Sequence, residues 1–349
     1  MRILIIKPSS LGDIVHTFPA AALLRAALPE AQLDWVANDK LAQMAGLFRG
    51  LHRVIHFPRQ HLSLFKPGVI RNFVRDLQQD EYDAVIDFQG LLRSGLMAHF
   101  ARTKLRIGFE RSREGAKYFY THRVSYPENI HHAAEKNLFL ARRALEIMGV
   151  AVPTGEIEPQ LEIPVAWNAS ADALLAKHNL PTDAPLLAVG CSSRWESKSW
   201  PPAFFAETLQ LVAKHEPAVK IWLLGGGDER ARAEEVVHLA QLPNLYNFAG
   251  ETDLGALTAL LARSKSLLTN DSGPMHIAAA LGIRCVACFG STSAELTGPY
   301  GPPGRHIILQ SQCPQAPCFK RVCPRLREGV CCPQGVTAAT AATAVCKCL

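Results

Sequence analysis

The sequence predicts an α/β protein built from two doubly wound units, each a parallel sheet covered by helices. Three observations carry that prediction. Short β-branched apolar runs alternate with helix-like segments from the first residues onward, the pattern of a parallel sheet with crossover helices. That alternation lapses into a Pro-rich stretch, GVAVPTGEIEPQLEIPVAWNAS, and begins again at LLAVGCSS. The length, 349 residues with 48% apolar and 19% charged side chains, suits two cores better than one.

In the first series the strand RILIIK is followed by a helix over about 14–28, the strand LDWVA, a helix from about 40, the strand VIHF, a helix around 69–79 and the strand YDAVIDF. The second series runs LLAVG, a helix near 202–214, VKIWLLGG, a helix around 228–241, LYNFAG, a short helix at 253–262, SLLTND, a helix from about 273 and RCVACFG. The domains are therefore expected at 1–165 and 166–332. The closing TAATAATAV reads as a last helix weakened by its threonines, in a tail, 333–349, that returns to the first domain. Ligands of such sheets bind at the carboxyl ends of the strands. The turns after RILIIK, LLAVG, WLLGG and SLLTND are thus expected to face a central cleft between the two domains.

Charge is unevenly placed. Residues 1–150 hold 21 Lys+Arg against 14 Asp+Glu, a balance of +7 out of the chain's formal +6, so the remainder is about −1. The first half is expected to face something acidic. Its basic residues are scattered and match no nucleic-acid motif, which argues against nucleic acid and for an acidic small acceptor or an anionic lipid headgroup. No run of eighteen apolar residues occurs, and the start lacks the features of a signal peptide, so the expected location is the cytoplasm.

The strongest local signal is TNDSGPMHIAAALG at 269–282. An apolar strand ends in Asn270, Asp271, Ser272 and Gly273, and a helix begins near Pro274, which suits a first helical turn. The free N–H groups and dipole of that helix suit a diphosphate, with His276 one turn in; the alternative is that Asp271 and Ser272 are only a helix cap. In GCSSRWESKSWP, at 190–201, Lys198 stands where one cation would neutralise a departing phosphate; the alternative is a surface lysine. LLGGGDER, at 223–230, permits close backbone approach or is a plain turn. The first turn, KPSSLGD, is neither a GxGxxG nor a GxxxxGK[ST] loop. Ser9, Ser10 and the backbone near Gly12 suit a small anion, and Asp13 is either a helix cap or a base at a strand's carboxyl end. Seven of the ten cysteines fall in the last 37 residues. Cys313, Cys318, Cys323 and one of Cys331 or Cys332 form the best tetrahedral set for a structural zinc, although their spacing is not that of a zinc ribbon. No acidic DxD cluster offers a catalytic metal site.

Four blocks in order, KPSSLGDIVHTFPA, YDAVIDFQGLLRSGL, SKSWP and NDSGPMHIAAALG, make the chain resemble glycosyltransferase family 9, the bacterial lipopolysaccharide heptosyltransferases, over nearly its whole length. The first-half block, with IGFERSREGAKYFY and HHAAEKN, looks closest to the heptosyltransferase I group; heptosyltransferase II and other members share NDSGPMH more widely.

The resemblance implies a GT-B architecture of two Rossmann-like domains and an inverting, metal-independent transfer of heptose from ADP-L-glycero-D-manno-heptose to Kdo of the lipid A inner core. No cofactor is required. The donor diphosphate would lie at Ser272, Gly273 and His276 with Asp271, Ser192, Ser193 and Lys198. The anionic glycolipid acceptor would lie on the first domain, where Arg113 and Lys136 match acceptor-contacting family positions and Arg59 and Lys66 are looser candidates. Asp13 would act as base and Lys198 would stabilise the leaving ADP. Closure of the domains and peripheral contact with the inner face of the cytoplasmic membrane follow from the same picture.

Two other classes compete. A dinucleotide-dependent oxidoreductase requires a GxGxxG first turn and an acidic residue about twenty positions on, and neither is present. A non-catalytic sugar-phosphate-binding protein would keep both lobes and dispense with Asp13.

Overall fold

A computed structural model describes residues 1–59, 67–180, 186–325 and 335–349. The chain divides into two compact units, Met1–Glu162 and Ile163–Leu349.

The first unit begins with β1 (Arg2–Ile6), whose apolar residues are buried on both faces, as expected of a central parallel strand. The single helix expected next is two pieces, α1 (Leu11–Val15) and α2 (Phe18–Ala27), separated at His16 and Thr17, with Pro19 in the first turn of the second. There follow β2 (Gln32–Asn38), α3 (Ala42–Ala45), β3 (Arg53–Phe57), α4 (Pro67–Leu77), β4 (Ala84–Asp87), α5 (Leu92–Phe100), β5 (Arg106–Phe109), β6 (His122–Val124) and α6 (Ala133–Ile147). All six strands are parallel, in the order β3-β2-β1-β4-β5-β6. This is the dinucleotide-fold order, whose direction reverses between β1 and β4. Phe73, Leu77, Met97 and Ala98 of α4 and α5 pack with Leu4, Ile6, Val36 and Val85 of the sheet.

At the amino ends of the strands, fully buried Asp34 accepts from Arg2, Arg53 and Tyr82. Burial beside that carboxylate pushes the Tyr82 hydroxyl up to about 12. The network ties three strands together at the end opposite to the ligand-facing turns.

In the second unit, α7 (Val165–Lys177) lies in the stretch that read as irregular linker, and β7 (Leu186–Gly190) opens the sheet. After it come α8 (Pro202–His215), β8 (Lys220–Leu223), α9 (Arg230–Ala240), β9 (Leu245–Asn247), α10 (Leu254–Ala262), β10 (Ser266–Asn270), α11 (Gly273–Ala280), β11 (Arg284–Phe289), α12 (Ala294–Thr297), β12 (Ile307–Gln310) and α13 (Ala338–Cys346). The strand order β12-β11-β10-β7-β8-β9 repeats that of the first unit, with its reversal between β7 and β10.

The expected return of the tail to the first domain is corrected here, because α13 belongs to the second unit and packs on α8. Its alanines let the two helices approach closely, and Ala341, Ala342, Ala344 and Val345 join the core of Leu209, Val212 and Trp200. Trp200 Nε1 and Thr208 Oγ1 donate to the carbonyls of Val336 and Ala338, anchoring the helix start. Thr337 caps that start by accepting from Thr340, so a threonine that is a poor helix former serves as a good helix boundary.

Candidate functional site

Asp13 in the first unit and Lys198 and Asp271 in the second lie where the strand order reverses, on turns that follow the central strands. In the first unit these turns follow β1 and β4. Asp13 Oδ2 accepts from the backbone N–H of Ser10 at 2.7 Å and from Ser10 Oγ at 2.8 Å, closing a capping box at the start of α1. Lys7 Nζ lies 3.6 Å from Asp13 Oδ1, with the lysine side chain 7% exposed and the aspartate 40%. The same ammonium donates to the Phe88 carbonyl at 2.8 Å and so links the two turns. Asp13 is therefore both a cap and a carboxylate open to solvent beside a buried cation, so capping and base function are compatible.

Across from it, Asp87 at the end of β4 is fully buried. It accepts from the Tyr120 hydroxyl at 2.7 Å and from the N–H groups of Gln89 and Gly90. Burial raises the Asp87 carboxyl above the usual carboxylate range and raises the Tyr120 hydroxyl as well. Gly108 pairs with Asp87 in the sheet and makes room for that tyrosine, since a Cβ there would sit 2.4 Å from its ring. The Gly90 carbonyl in turn accepts from the Arg113 N–H at 2.8 Å, which sets exposed Arg113 beside the turn. Gln89 reaches Ser9 through a 3.4 Å hydrogen bond, while the Gly12 carbonyl accepts from His16 within α1.

Lys136 lies in the first turn of α6, its ammonium 5.1 Å from the centre of the Tyr126 ring. That helix start is fastened to the end of α1, because Asn137 donates to the His16 carbonyl and to Thr17 Oγ1, and the His132 ring stands edge-on to His16. Arg59 is exposed just past the carboxyl end of β3. Lys66 lies outside the described residues.

In the second unit the turns follow β7 and β10. Lys198 Nζ pairs with Asp271 Oδ2 at 2.7 Å, with side-chain exposures of 17% and 4%, and Thr292 Oγ1 donates to the same oxygen at 2.6 Å. The helix-cap alternative for this turn fails. The Asp271 carboxylate is turned to Lys198 and Thr292, and the Ser272 side chain makes no cap bond to α11; it meets Thr269 Oγ1 instead. Ser193 Oγ donates to the Asp271 carbonyl, and buried Asn270 accepts from the Trp200 N–H, so both turns are pinned together. His276 is nearly buried in α11. Ser192 hydrogen-bonds Glu229, whose carboxyl is raised by burial and which accepts from the Gly226 N–H.

Several residues of this second turn had no signal in the local sequence. Lys198 lies 4.5 Å from the centre of the Trp195 ring, and the Arg321 guanidinium lies 5.4 Å from the same ring. Arg321 is delivered by the backbone, because Ser197 donates through its N–H to the Arg321 carbonyl and through its hydroxyl to the Lys320 carbonyl. The cysteine-bearing segment thus supplies a cation to the turn. Cys313 and Cys318 are free thiols, and among the described residues no group of three or more His, Cys, Asp or Glu is placed to hold a metal ion. Cys331 and Cys332 lie outside the described residues. No helix among the described residues is long and apolar enough to cross a membrane.

Residues 70–327 match glycosyltransferase family 9 (heptosyltransferase). Lipopolysaccharide heptosyltransferase 1 of Pseudomonas aeruginosa is 32% identical, covering 93% of this chain and 87% of its own. Its namesake from Escherichia coli K12 is 30% identical over 86% of this chain and 91% of its own. The solved structure of the E. coli heptosyltransferase WaaC with ADP superposes with a TM-score of 0.78 at 25% identity, covering the whole of both chains. The two parallel six-stranded sheets are those of a transferase of the GT-B type. This chain belongs to glycosyltransferase family 9.

Proposed function

We propose that this transferase moves heptose from ADP-L-glycero-D-manno-heptose to Kdo of the lipopolysaccharide inner core, with inversion at the anomeric carbon and without a catalytic metal. The sugar and the step are supported by relatives that carry the name lipopolysaccharide heptosyltransferase 1 at 30% identity and above. The observation that carries the chemistry is Lys198, held by Asp271 and Thr292 in front of a helix start that no side chain caps. A cation and a set of open N–H groups are what a departing diphosphate requires.

In this reading the donor lies on the second unit, with its diphosphate at Ser272, Gly273 and the first turn of α11, and with Ser192, Ser193 and His276 around it. The acceptor lies on the first unit, near Ser9, Ser10 and Gly12, with Arg113, Lys136, Arg59 and Lys66 matching its negative charge. Asp13 accepts the proton of the acceptor hydroxyl as that oxygen attacks the anomeric carbon from the face opposite the diphosphate. The bond from that carbon to the ADP oxygen breaks, and the ADP leaves with its added charge stabilised by Lys198 and the N–H groups of α11. Lys7 keeps the Asp13 side chain in place from beneath. The site of action is the cytoplasm, in peripheral contact with the inner face of the cytoplasmic membrane where a lipid-linked acceptor resides.

The test is ADP release by purified protein given ADP-heptose and either Kdo-lipid A or already heptosylated core, with and without a chelator. Turnover on Kdo-lipid A that survives chelation is expected. Turnover only on the heptosylated acceptor would reassign the step to the second heptose, and dependence on an added metal would remove the metal-independent mechanism.

A further inference from the structure

We propose that the outward faces of α4 and α5 form a docking surface for an anionic phospholipid leaflet. This inference rests on the reading that the acceptor is lipid-linked. Helix α5 is apolar on two sides. Met97 and Ala98 face the core, while Leu92, Leu96 and Phe100, spaced four residues apart, remain 43%, 36% and 43% exposed. Positions four apart lie on one face of a helix, so these three form a stripe along its length. Ile70 of the neighbouring α4 is 41% exposed, and Tyr118, in the short turn packed against α5, is 73% exposed.

The surroundings of the stripe are basic. Arg71 and Arg75 on α4, and Arg102 and Lys104 just past α5, are exposed. Lys117 and Arg123 both lie 5.8 Å from the centre of the Tyr118 ring. Of the nearby carboxylates, Glu110 is paired with Lys117 at 2.9 Å and Glu114 accepts from the Leu92 N–H at 3.3 Å, while Asp76 on α4 and Glu81, whose backbone bridges that of Arg102, are exposed. An apolar stripe rimmed by arginine and lysine is the composition of a helix that lies in a lipid interface. A second copy of this chain suits the face less well, because a two-fold contact across the stripe would bring the two basic rims together.

Position in the fold adds a second argument. The stripe begins at Leu92, directly after the turn that holds Gln89 and Gly90 and is bonded to Arg113. An acceptor sugar bound at that turn would have its acyl portion where the stripe meets the leaflet.

The experiment measures partition of the full chain onto vesicles of phosphatidylglycerol and phosphatidylethanolamine, against vesicles of phosphatidylcholine. It compares the unaltered protein with the triple variant Leu92→Ser, Leu96→Ser, Phe100→Ser and with the double variant Arg75→Gln, Arg102→Gln. Circular dichroism checks folding, and the double variant, altered only at exposed polar positions, keeps the test alive if the triple variant does not fold. The triple variant is expected to bind all vesicles at least roughly tenfold more weakly. The double variant is expected to lose roughly fivefold per arginine on anionic vesicles only. Activity on a deacylated, water-soluble acceptor is expected to stay unchanged, while KM for vesicle-embedded acceptor rises. Variants that bind anionic vesicles as tightly as the unaltered protein overturn the proposal. So does a dimer of the unaltered chain that the triple variant dissociates, since the face would then be an interface between copies. Failure of the unaltered protein to turn over either acceptor would instead overturn the transfer reading, and the vesicle comparison would stand separately.

Discussion

The two units share one strand order and place a lysine and an aspartate side by side at the same reversal point, yet they bury opposite members of the pair. In the first unit Lys7 is covered and Asp13 is 40% exposed; in the second Asp271 is covered and Lys198 is the more exposed partner. Each buried member is fixed by a group outside the pair, Lys7 by the Phe88 carbonyl and Asp271 by Thr292, and the exposed Asp13 is held by Ser10. In the proposed reaction the exposed member is the one offered to a ligand, so that one unit would present a proton acceptor and the other an anion binder, the division of labour that a displacement with an anionic leaving group needs.

That comparison is most directly broken at Asp13. Asp13→Ala and Asp13→Asn are expected to reduce kcat by roughly 10²–10⁴-fold while calorimetric ADP binding stays as in the unaltered protein. A simultaneous loss of ADP affinity would show that the first turn, too, serves the donor. Lys198→Ala is the mirror experiment, with a loss of roughly 10²–10³ in kcat/KM and weaker ADP binding, partly restored by Lys198→Arg. If ADP binds unchanged, Lys198 is only a structural partner of Asp271.

A smaller effect sharpens the second unit's side. Arg321→Ala removes one of the two cations beside Trp195, and about fivefold or less in ADP affinity is expected, more at low salt than at high salt. Titration calorimetry at two ionic strengths reads it directly.

A separate expected effect is on stability and is confined to the second unit. Burial pushes the His306 imidazole down to about 4, while its Nδ1 accepts from the Cys285 N–H at 3.2 Å. Since the unfolded chain takes up this proton near its ordinary value, stability is fully present above about 6.5. It falls as pH drops toward the folded value of about 4. Urea midpoints measured across that window are expected to decline, and less steeply in His306→Gln. Equal slopes in both proteins would remove His306 as the source.

The central strands were legible because they are buried on both faces and read as largely apolar runs; β1, β7 and β11 appear in that form. Of the edge strands, β3 and β9 were expected as VIHF and LYNFAG, whereas β6 and β12 were not. β12 alternates half-buried with exposed residues, and β6 has two exposed residues of three, so neither leaves an apolar run to detect. Helix α7 escaped for a related reason, since Pro164 before it and the prolines upstream look like linker. In the sites, Asp13, Lys198 and Asp271 stand next to strand ends and could be found from spacing. Arg321 and Thr292 could not, because they reach Trp195 and Asp271 from distant parts of the chain.

By itself the sequence determined the two α/β series, the turns at which chemistry sits and the family blocks along them, because strand periodicity and turn residues are local properties. Only the tertiary structure decided which member of each ion pair is buried, that the helix start at Gly273 is left uncapped, and that the last helix completes the second unit. Those outcomes depend on solvent exclusion by residues far away in the chain, and exclusion from solvent is a property of the packed molecule that no local pattern encodes.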